Sequence, residues 1–434
     1  MGEFDHIVAA LDASPVTAAF REMVESNDFS SLDKNTAKRH HFVPQFLLRG
    51  FAEAHRGKDC IFQMETRSRR APTREEVRTV AWQQELYAVP NEDGEMSNRN
   101  EGYLALVENY AAPALRHLLD DPASLSPGER ATIAFYVALQ TMRTPAAAGQ
   151  ITTIANAAFQ TWGSEFFSDR RTFAEQYRDF FEDGASEDEI EQFRQETIAQ
   201  MRDGRLRLSG RAAALSTGLT HAIDNVPMLI EFDWTLLQAP GGFITSDRGY
   251  AIHDPTPPYP WAWQAILSSE NSETTVPLSD KACLLMRPVL GGGLTVRDAS
   301  THEVETINLR TYGWADEYVY GRTQGALVAV RTASRRRPTD VIRPKPFTQV
   351  ALLESDPDDN SLAETNRRRG WPAQLPNAQG ELCDYIVVPS DKPNAEQWAL
   401  ADELTERRAR RRAGVGPDEP FEGRITNTPL HPST

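Results

Sequence analysis

The feature that most constrains the fold is a change of hydrophobic period near Pro227. Upstream of it, Leu104, Val107, Ala111, Ala114 and Leu118 share one face of a helix predicted over 100–119. Ser126-Pro127-Gly128-Glu129 then reads as a capping box with proline at the first helical position, opening a helix that reaches Met142. Several more helices are expected over 146–222. Downstream, Leu229-Ile230-Glu231-Phe232-Asp233-Trp234-Thr235-Leu236-Leu237 begins with the apolar/polar alternation of a half-buried strand. Gly241-Gly242 punctuates it before Phe243-Ile244-Thr245-Ser246-Asp247, which signals a hairpin. Further strands are expected at 274–278, 282–288 and 326–330, the last preceded by a helix near 307–320. Helices gathered in one stretch and strands in the next argue for an α+β fold. A helical layer over 39–222 would pack on a small, mainly antiparallel sheet over 227–330.

Around this core, which spans 38–332 (helical over 38–225, strand-rich over 226–332), two flanking segments stand apart. Residues 1–37 are expected to form a mobile appendage with one helix over 15–26, where Ser14 is the N-cap and Pro15 the first helical residue. Residues 333–434 form an Arg/Pro-rich extension with a strand expected at 383–388 and a helix at 395–412. The acidic run Glu187-Asp188-Glu189-Ile190-Glu191 is most simply a solvated helix face. Gly291-Gly292-Gly293 lies between strand-like stretches and reads as a turn rather than a phosphate-binding loop.

Composition excludes several classes. Hydrophobic residues make up 40% and charged residues 25%, as in ordinary globular proteins, so a chain of 434 residues can bury a full core without staples. Cys60, Cys283 and Cys383 lack the paired spacing of a disulfide framework or a zinc site and read as small buried hydrophobes. No run approaches the roughly 20 apolar residues of a spanning helix. Met1-Gly2-Glu3-Phe4-Asp5-His6 lacks a basic start followed by a long apolar core, so the cytoplasm is the expected compartment. A net charge of −16 repels polyanions unless positive charge is gathered into one patch, which disfavours non-specific nucleic-acid binding. Arginine clusters at 335–337, 367–369 and 407–412 read chiefly as solvated charge, with a nucleic-acid or acidic-partner contact as the alternative.

One segment looks like a site. Arg39-His40-His41-Phe42-Val43-Pro44-Gln45-Phe46-Leu47-Leu48-Arg49-Gly50-Phe51 places two of only nine histidines before a stiff Val-Pro step. A strand at 60–64 and a short helix over 44–54 are expected beside it. Neighbouring side chains in an extended segment point oppositely, so one histidine faces a given pocket, and His41, next to the apolar run, is favoured over His40.

This segment, together with Gln140-Thr141-Met142-Arg143-Thr144-Pro145 and Phe243-Ile244-Thr245-Ser246-Asp247, resembles the bacterial family called domain of unknown function 4238. Members typically show His-Tyr-Val-Pro-Gln near the start and Ser-Asp-Asn-Pro later. A glutamate-bearing helix with Glu101 and Glu108, the Val276-Pro277-Leu278-Ser279 stretch and Asn308 fit the same pattern, and the resemblance covers roughly 39–330. This chain departs with Asp247-Arg248-Gly249 where Asp-Asn-Pro is frequent. The resemblance brings no activity with it.

The residues themselves allow two classes of function. In the first, the protein is a hydrolase of nuclease or phosphodiesterase type. His41, Asp247 and Ser246 would be catalytic, His41 as base or ligand and Ser246 as a nucleophile if a base adjoins it. Gln45, Gln140, Arg143 and Thr245 would bind an anionic substrate, with Arg143 as the fork. Glu101 and Glu108, seven apart on one helix, could hold a divalent metal or divide acid and base roles, although surface glutamates are common. His253-Asp254 could add ligands. In the second, a non-catalytic binding or regulatory protein, the same residues form a polar network joining the two halves. His41 then caps a helix, Arg143 caps the carbonyls before Pro145, and Thr245-Ser246-Asp247 closes a turn.

Overall fold

The computed structural model describes residues 5–33, 37–90, 95–149, 151–152, 186–202, 222–254, 271–289, 291–338, 348–353, 360–368, 373–376 and 382–389, with isolated positions between these stretches. They divide into two compact units: residues 1–151, 210–257 and 264–344, and residues 152–209, 258–263 and 345–434. In chain order, the helices of the first unit are α1 Asp5–Asp12, α2 Pro15–Ser26, α3 Ser30–Asp33, α4 Gln45–Arg49, α5 Arg99–Asp120, α6 Pro127–Met142, α7 Val226–Glu231, α8 Thr301–Trp314 and α9 Gln324–Arg336. Its strands are β1 Arg39–His41, β2 Glu53–His55, β3 Lys58–Glu65, β4 Thr73–Glu76, β5 Trp82–Gln84, β6 Val89–Pro90, β7 Met96–Ser97, β8 Asp233–Gln238, β9 Thr245–Ser246, β10 Ala251–His253, β11 Glu273–Ser279, β12 Ala282–Arg287, β13 Leu294–Asp298 and β14 Tyr318–Gly321.

The fold is α+β. One five-stranded sheet runs β10-β11-β12-β8-β13, antiparallel except where β13 lies parallel to β8. A second runs β2-β3-β14-β9, with β4 also paired to β3, and is antiparallel throughout. β1 pairs with β5 and β6 with β7 as separate ribbons.

α6 is the central helix. Its capping box forms as the sequence requires, Ser126 accepting from the Glu129 amide while the Glu129 carboxylate accepts from Ser126. Thirteen of its residues, including Ile133, Phe135, Tyr136, Val137 and Leu139, are buried. Each such apolar side chain contributes roughly 1.5–3 kcal/mol by leaving water. α5, α7, α1 and α2 pack around it.

Residues 5–33, expected to be part of an appendage, instead pack into the first unit. Ile7, Ala10 and Val16 belong to the main apolar core, and the Ser14 hydroxyl, which makes no cap bond, lies 3.0 Å from that of Thr132 on α6. Two glycines seat this segment: a Cβ at Gly128 would lie 2.3 Å from the Ala13 carbonyl oxygen, and one at Gly102 only 2.0 Å from that of Leu32. The signal was the Ile7, Ala10, Leu11 spacing, which makes α1 amphipathic.

The helices predicted over 15–26 and 100–119 form as α2 and α5, and the strands at 60–64, 274–278 and 282–288 lie in β3, β11 and β12. Other expectations fail for local reasons. The helix from Pro44 stops at Arg49 and gives way to β2. Leu229-Ile230-Glu231 is helical, since Pro227 opens α7 and buries Leu229 and Ile230. The expected hairpin does not form: β8 pairs with β12 and β13, while β9 joins the other sheet through β14. Residues 326–330 are helical within α9, started by the Thr323 hydroxyl accepting from the Ala326 amide and buried at Leu327, Val330 and Ala333. The helix expected near 307–320 begins earlier, at a Ser300/Glu303 capping box, and yields to β14.

The extension also begins later than expected, because residues up to 344 group with the first unit, whereas 152–209 group with the C-terminal residues. In the second unit, Glu187–Arg202 is a helix carrying the acidic run, and Leu382–Pro389 is the middle strand of an antiparallel sheet between Thr348–Leu353 and Leu375–Pro376. Most of the helix expected at 395–412, where Leu404, Arg407 and Arg410 are described and helical, lies outside the described residues, as do the 255–260 segment with Trp261 and Trp263 and most of 146–222. All three cysteines are buried free thiols. Among the described residues, no helix is long and apolar enough to cross a membrane.

Candidate functional site

Strand β1 sorts the two histidines. It pairs antiparallel with β5, His40 opposite Gln83 and His41 opposite Trp82, so the adjacent imidazoles face opposite ways. His40 is fully buried, its Nε2 2.8 Å from the Ala37 carbonyl and its Nδ1 accepting the Tyr87 amide at 3.0 Å. Those partners place the proton on Nε2. Burial lowers its pKa, and its ring stacks on Tyr87.

His41 faces a cleft of about 570 Å³ that is also lined by Gln45, Glu101, Glu108, Asn109 and Pro113, with Arg39, Arg49 and Arg116 among its cations. Its buried Nδ1 has no hydrogen-bond partner among the described residues. Burial, followed by the Arg143 guanidinium, pushes its pKa down to about 4. The imidazole is therefore neutral at pH 7.

α5 supplies the carboxylates. Glu101 and Glu108 lie two turns apart on it, and both reach the cleft. Glu108 accepts a 2.7 Å hydrogen bond from Nη1 of Arg143, which is 2% exposed. Arg143 also donates from Nη2 to the His41 carbonyl at 2.6 Å and from Nε to the Tyr87 hydroxyl at 3.4 Å. Tyr87 in turn donates to the Arg143 carbonyl at 2.8 Å. Arg143 thus holds the backbone of one cleft residue and the side chain of another. Glu101 receives no such support: its buried Oε2 has no partner among the described residues, and burial, opposed by Arg143 and reinforced by Glu108, pushes its pKa up to about 7. Pro113, inside α5, cannot donate to the Asn109 carbonyl, which leaves that acceptor without its helical partner beside the cleft.

Other residues expected in the site lie elsewhere. Gln140 ties the two motif segments together, its Nε2 donating to the Phe42 carbonyl at 2.9 Å and to that of Arg248 at 2.8 Å. Gly249 has φ +75°, and a Cβ there would stand 3.2 Å from the same nitrogen, which explains glycine after Asp247-Arg248. Asp247 does not line the cleft. Its carboxylate accepts the amides of Asp316, Glu317 and Tyr318 at 2.8, 2.7 and 2.8 Å, clamping the turn before β14. Burial and the nearby Asp316 push its pKa up to about 7, against those three donors. Arg248 pairs with Asp316 at 2.6 Å over the Trp314 ring. Ser246 and Thr245 are fully buried in β9, the Ser246 hydroxyl accepting from the Arg248 amide at 3.3 Å, and neither reaches the cleft. Asn308 likewise serves backbone, accepting from the Ile244 amide and donating to the Gly242 carbonyl. His253 sits in β10 opposite Glu273, apart from the cleft lining.

The structure therefore brings together His41, Gln45, Glu101 and Glu108, with Arg143 beneath them, and leaves Thr245, Ser246 and Asp247 in a separate clamp. Among the described residues, no group of three or more His, Cys, Asp or Glu side chains is gathered to hold a metal ion. Sequence reasoning overlooked Tyr87, Arg39, Arg49 and Arg116. Arg39 and Arg49 flank the histidine motif and were legible there, whereas Tyr87 meets His40 and Arg143 only through the fold.

No curated protein and no solved structure matches this chain. A match to the family described as Protein of unknown function (DUF4238) spans residues 39–325, about two thirds of the chain. That span holds β1, both carboxylates of α5, Gln140, Arg143 and the Asp247 clamp, and the chain belongs to this family of unknown function.

Proposed function

We propose that the cleft is the active site of a hydrolase acting on an anionic ester, of the phosphodiesterase or nuclease type. The observation that carries this reading is Glu101, a cleft carboxyl with a buried oxygen that has no partner among the described residues and a pKa pushed up to about 7. A carboxyl so placed can release a proton to a leaving oxygen at neutral pH. His41, kept neutral by burial and Arg143, offers a ring nitrogen to accept a proton from attacking water. An entering phosphate offsets the field of Arg143 and makes that imidazole a stronger base. Water oxygen then bonds to phosphorus as the ester bond breaks, one proton passing to His41 and one leaving Glu101. Arg39, Arg49 and Arg116 suit the non-bridging oxygens, and Glu108, ion-paired with Arg143, holds the floor in place.

A second reading rests on a specific observation. The Gln140 side-chain nitrogen, the Asp247 carboxylate, the Asn308 amide and one nitrogen of Arg143 are all directed at backbone, as in the structural network of a non-catalytic binding or regulatory protein. Turnover of a chromogenic phosphodiester and of a labelled oligonucleotide separates the two. Glu101→Gln should lower kcat by about 10²- to 10⁴-fold, the usual contribution of a general acid, with the far-UV circular dichroism unchanged. A wild-type protein that cleaves neither substrate, or a variant as active as wild type, overturns the hydrolase reading.

A further inference from the structure

The sequence carries a net charge of −16, so any cationic surface without acidic neighbours needs a reason. One such surface lies on the first unit, away from the residues that line the cleft. The turn between β3 and β4 contains Arg67, Arg69 and Arg70, all exposed. α9 carries Arg331, Arg335 and Arg336, the last two exposed. The turn and the helix meet directly, because Arg331 donates from Nη1 to the Arg70 carbonyl at 2.6 Å. An arginine-bearing turn and an arginine-bearing helix end, from segments about 260 residues apart, are thereby brought together. None of these six arginines makes an ion pair among the described residues, although Arg74 on β4 and Arg337 at the end of α9 are each paired with a glutamate.

Local stability does not account for this. Arg335 and Arg336 complement the C-terminal end of the α9 dipole, worth roughly 0.3–1 kcal/mol each at an exposed helix end. That leaves the three arginines of the turn unexplained, and like charges brought close together repel. The cationic residues of this face are all arginine, whose planar fork suits phosphate oxygens. Arg331 and Arg335 are one helical turn apart, about 6 Å along the axis at 1.5 Å per residue. Glu65 and Glu317 are exposed at one border of the face and set its limit.

We propose that this face binds the phosphodiester backbone of a nucleic acid. The gathered patch is the circumstance in which an acidic chain holds a polyanion, because screening over about 8 Å at physiological salt hides the remaining negative charge. A phosphodiester strand carries one full charge per nucleotide with no intervening cations, matching a surface whose arginines have their acidic neighbours at its border. The inference does not depend on the chemistry of the cleft.

The test is fluorescence anisotropy with a labelled 20-nucleotide single strand and its duplex, from about 50 to 200 mM salt. With all six arginines engaged, the logarithm of affinity for the single strand should fall against the logarithm of salt with a slope near −4, at about 0.7 per contact. Arg335→Glu/Arg336→Glu and, separately, Arg69→Glu/Arg70→Glu should each make that slope shallower by about 1.4 and weaken binding at least tenfold. Using two elements guards against a helix-end effect, since the turn pair leaves α9 intact. Glu101→Gln should bind like wild type, so loss of the cleft's activity and loss of this surface remain distinguishable. Absence of binding at 50 mM salt, indifference to both charge reversals, or equal competition by polyglutamate would overturn the proposal.

Discussion

The ionisation of Glu101 makes a quantitative prediction about stability. In the unfolded chain this carboxyl titrates near 4.5, and in the fold near 7. Below pH 4.5 both states hold the proton and the group has no pH-dependent effect. Between 4.5 and 7 the unfolded chain has lost the proton while the fold still holds it, so stability falls as pH rises. Above 7 the loss is complete. Moving from 4.5 to about 7, at about 1.36 kcal/mol per pH unit, sets an upper bound of about 3.5 kcal/mol, reduced by water at the open cleft. His41 acts oppositely. Its pKa is depressed from 6.5 to about 4, so its contribution is present above pH 6.5 and lost as pH falls through 4. The two slopes are of similar size and opposite sign, and largely cancel between pH 4.5 and 6.5. Glu101→Gln, which mimics the protonated carboxyl at every pH, should equal wild type at pH 4.5 and exceed it by about 1–3 kcal/mol at pH 8. Urea denaturation of both proteins from pH 4.5 to 8.5 measures this as a difference, in which the raised Asp247 cancels. A variant that is less stable at pH 8, or a difference flat with pH, refutes the placement of Glu101 in a poorly solvated site.

Two further substitutions test the framework. Gly128→Ala should force the Ala13 carbonyl away from α6, costing about 1–3 kcal/mol and exposing residues 5–33 to limited proteolysis, whereas an appendage would leave stability unchanged. Asp247→Ala leaves three buried amides unsatisfied, at about 1–3 kcal/mol each, and should lower the urea midpoint by at least 3 kcal/mol equivalent; a near-neutral result would remove its role as a clamp.

Much of the local structure was legible because its cause is local. The Ser126/Glu129 box fixes its own helix start, and alternation in β1 is enough to separate His40 from His41. The failures lie where tertiary pairing decides. β8 has the pattern of a hairpin arm, but its partners, β12 and β13, come from 44 or more residues later. Ala326-Leu327-Val328-Ala329-Val330 has strand composition, and only the Thr323 cap with burial at Leu327 and Val330 reveals the helix. For the site, the carboxylates of α5 were the weakest sequence candidates because exposed glutamates are so common, yet the cleft draws both inward. Asp247 was a strong candidate for a reason sequence cannot resolve: a carboxylate that clamps amides and one that moves protons occupy the same kind of strand end.

The single side-chain nitrogen of Gln140 that joins Phe42 to Arg248 bears on how the protein is made. During synthesis the histidine motif emerges some 200 residues before the carbonyl that completes its tether, and β3 must likewise wait for β14. Until then a nascent chain carries the cleft's residues without the cleft, with α6 and its apolar faces only partly covered. Such distant closures slow folding and prolong exposure to misassembly. Truncated products ending before Arg248 and β14 should therefore lack a formed cleft and require chaperones to remain dispersed.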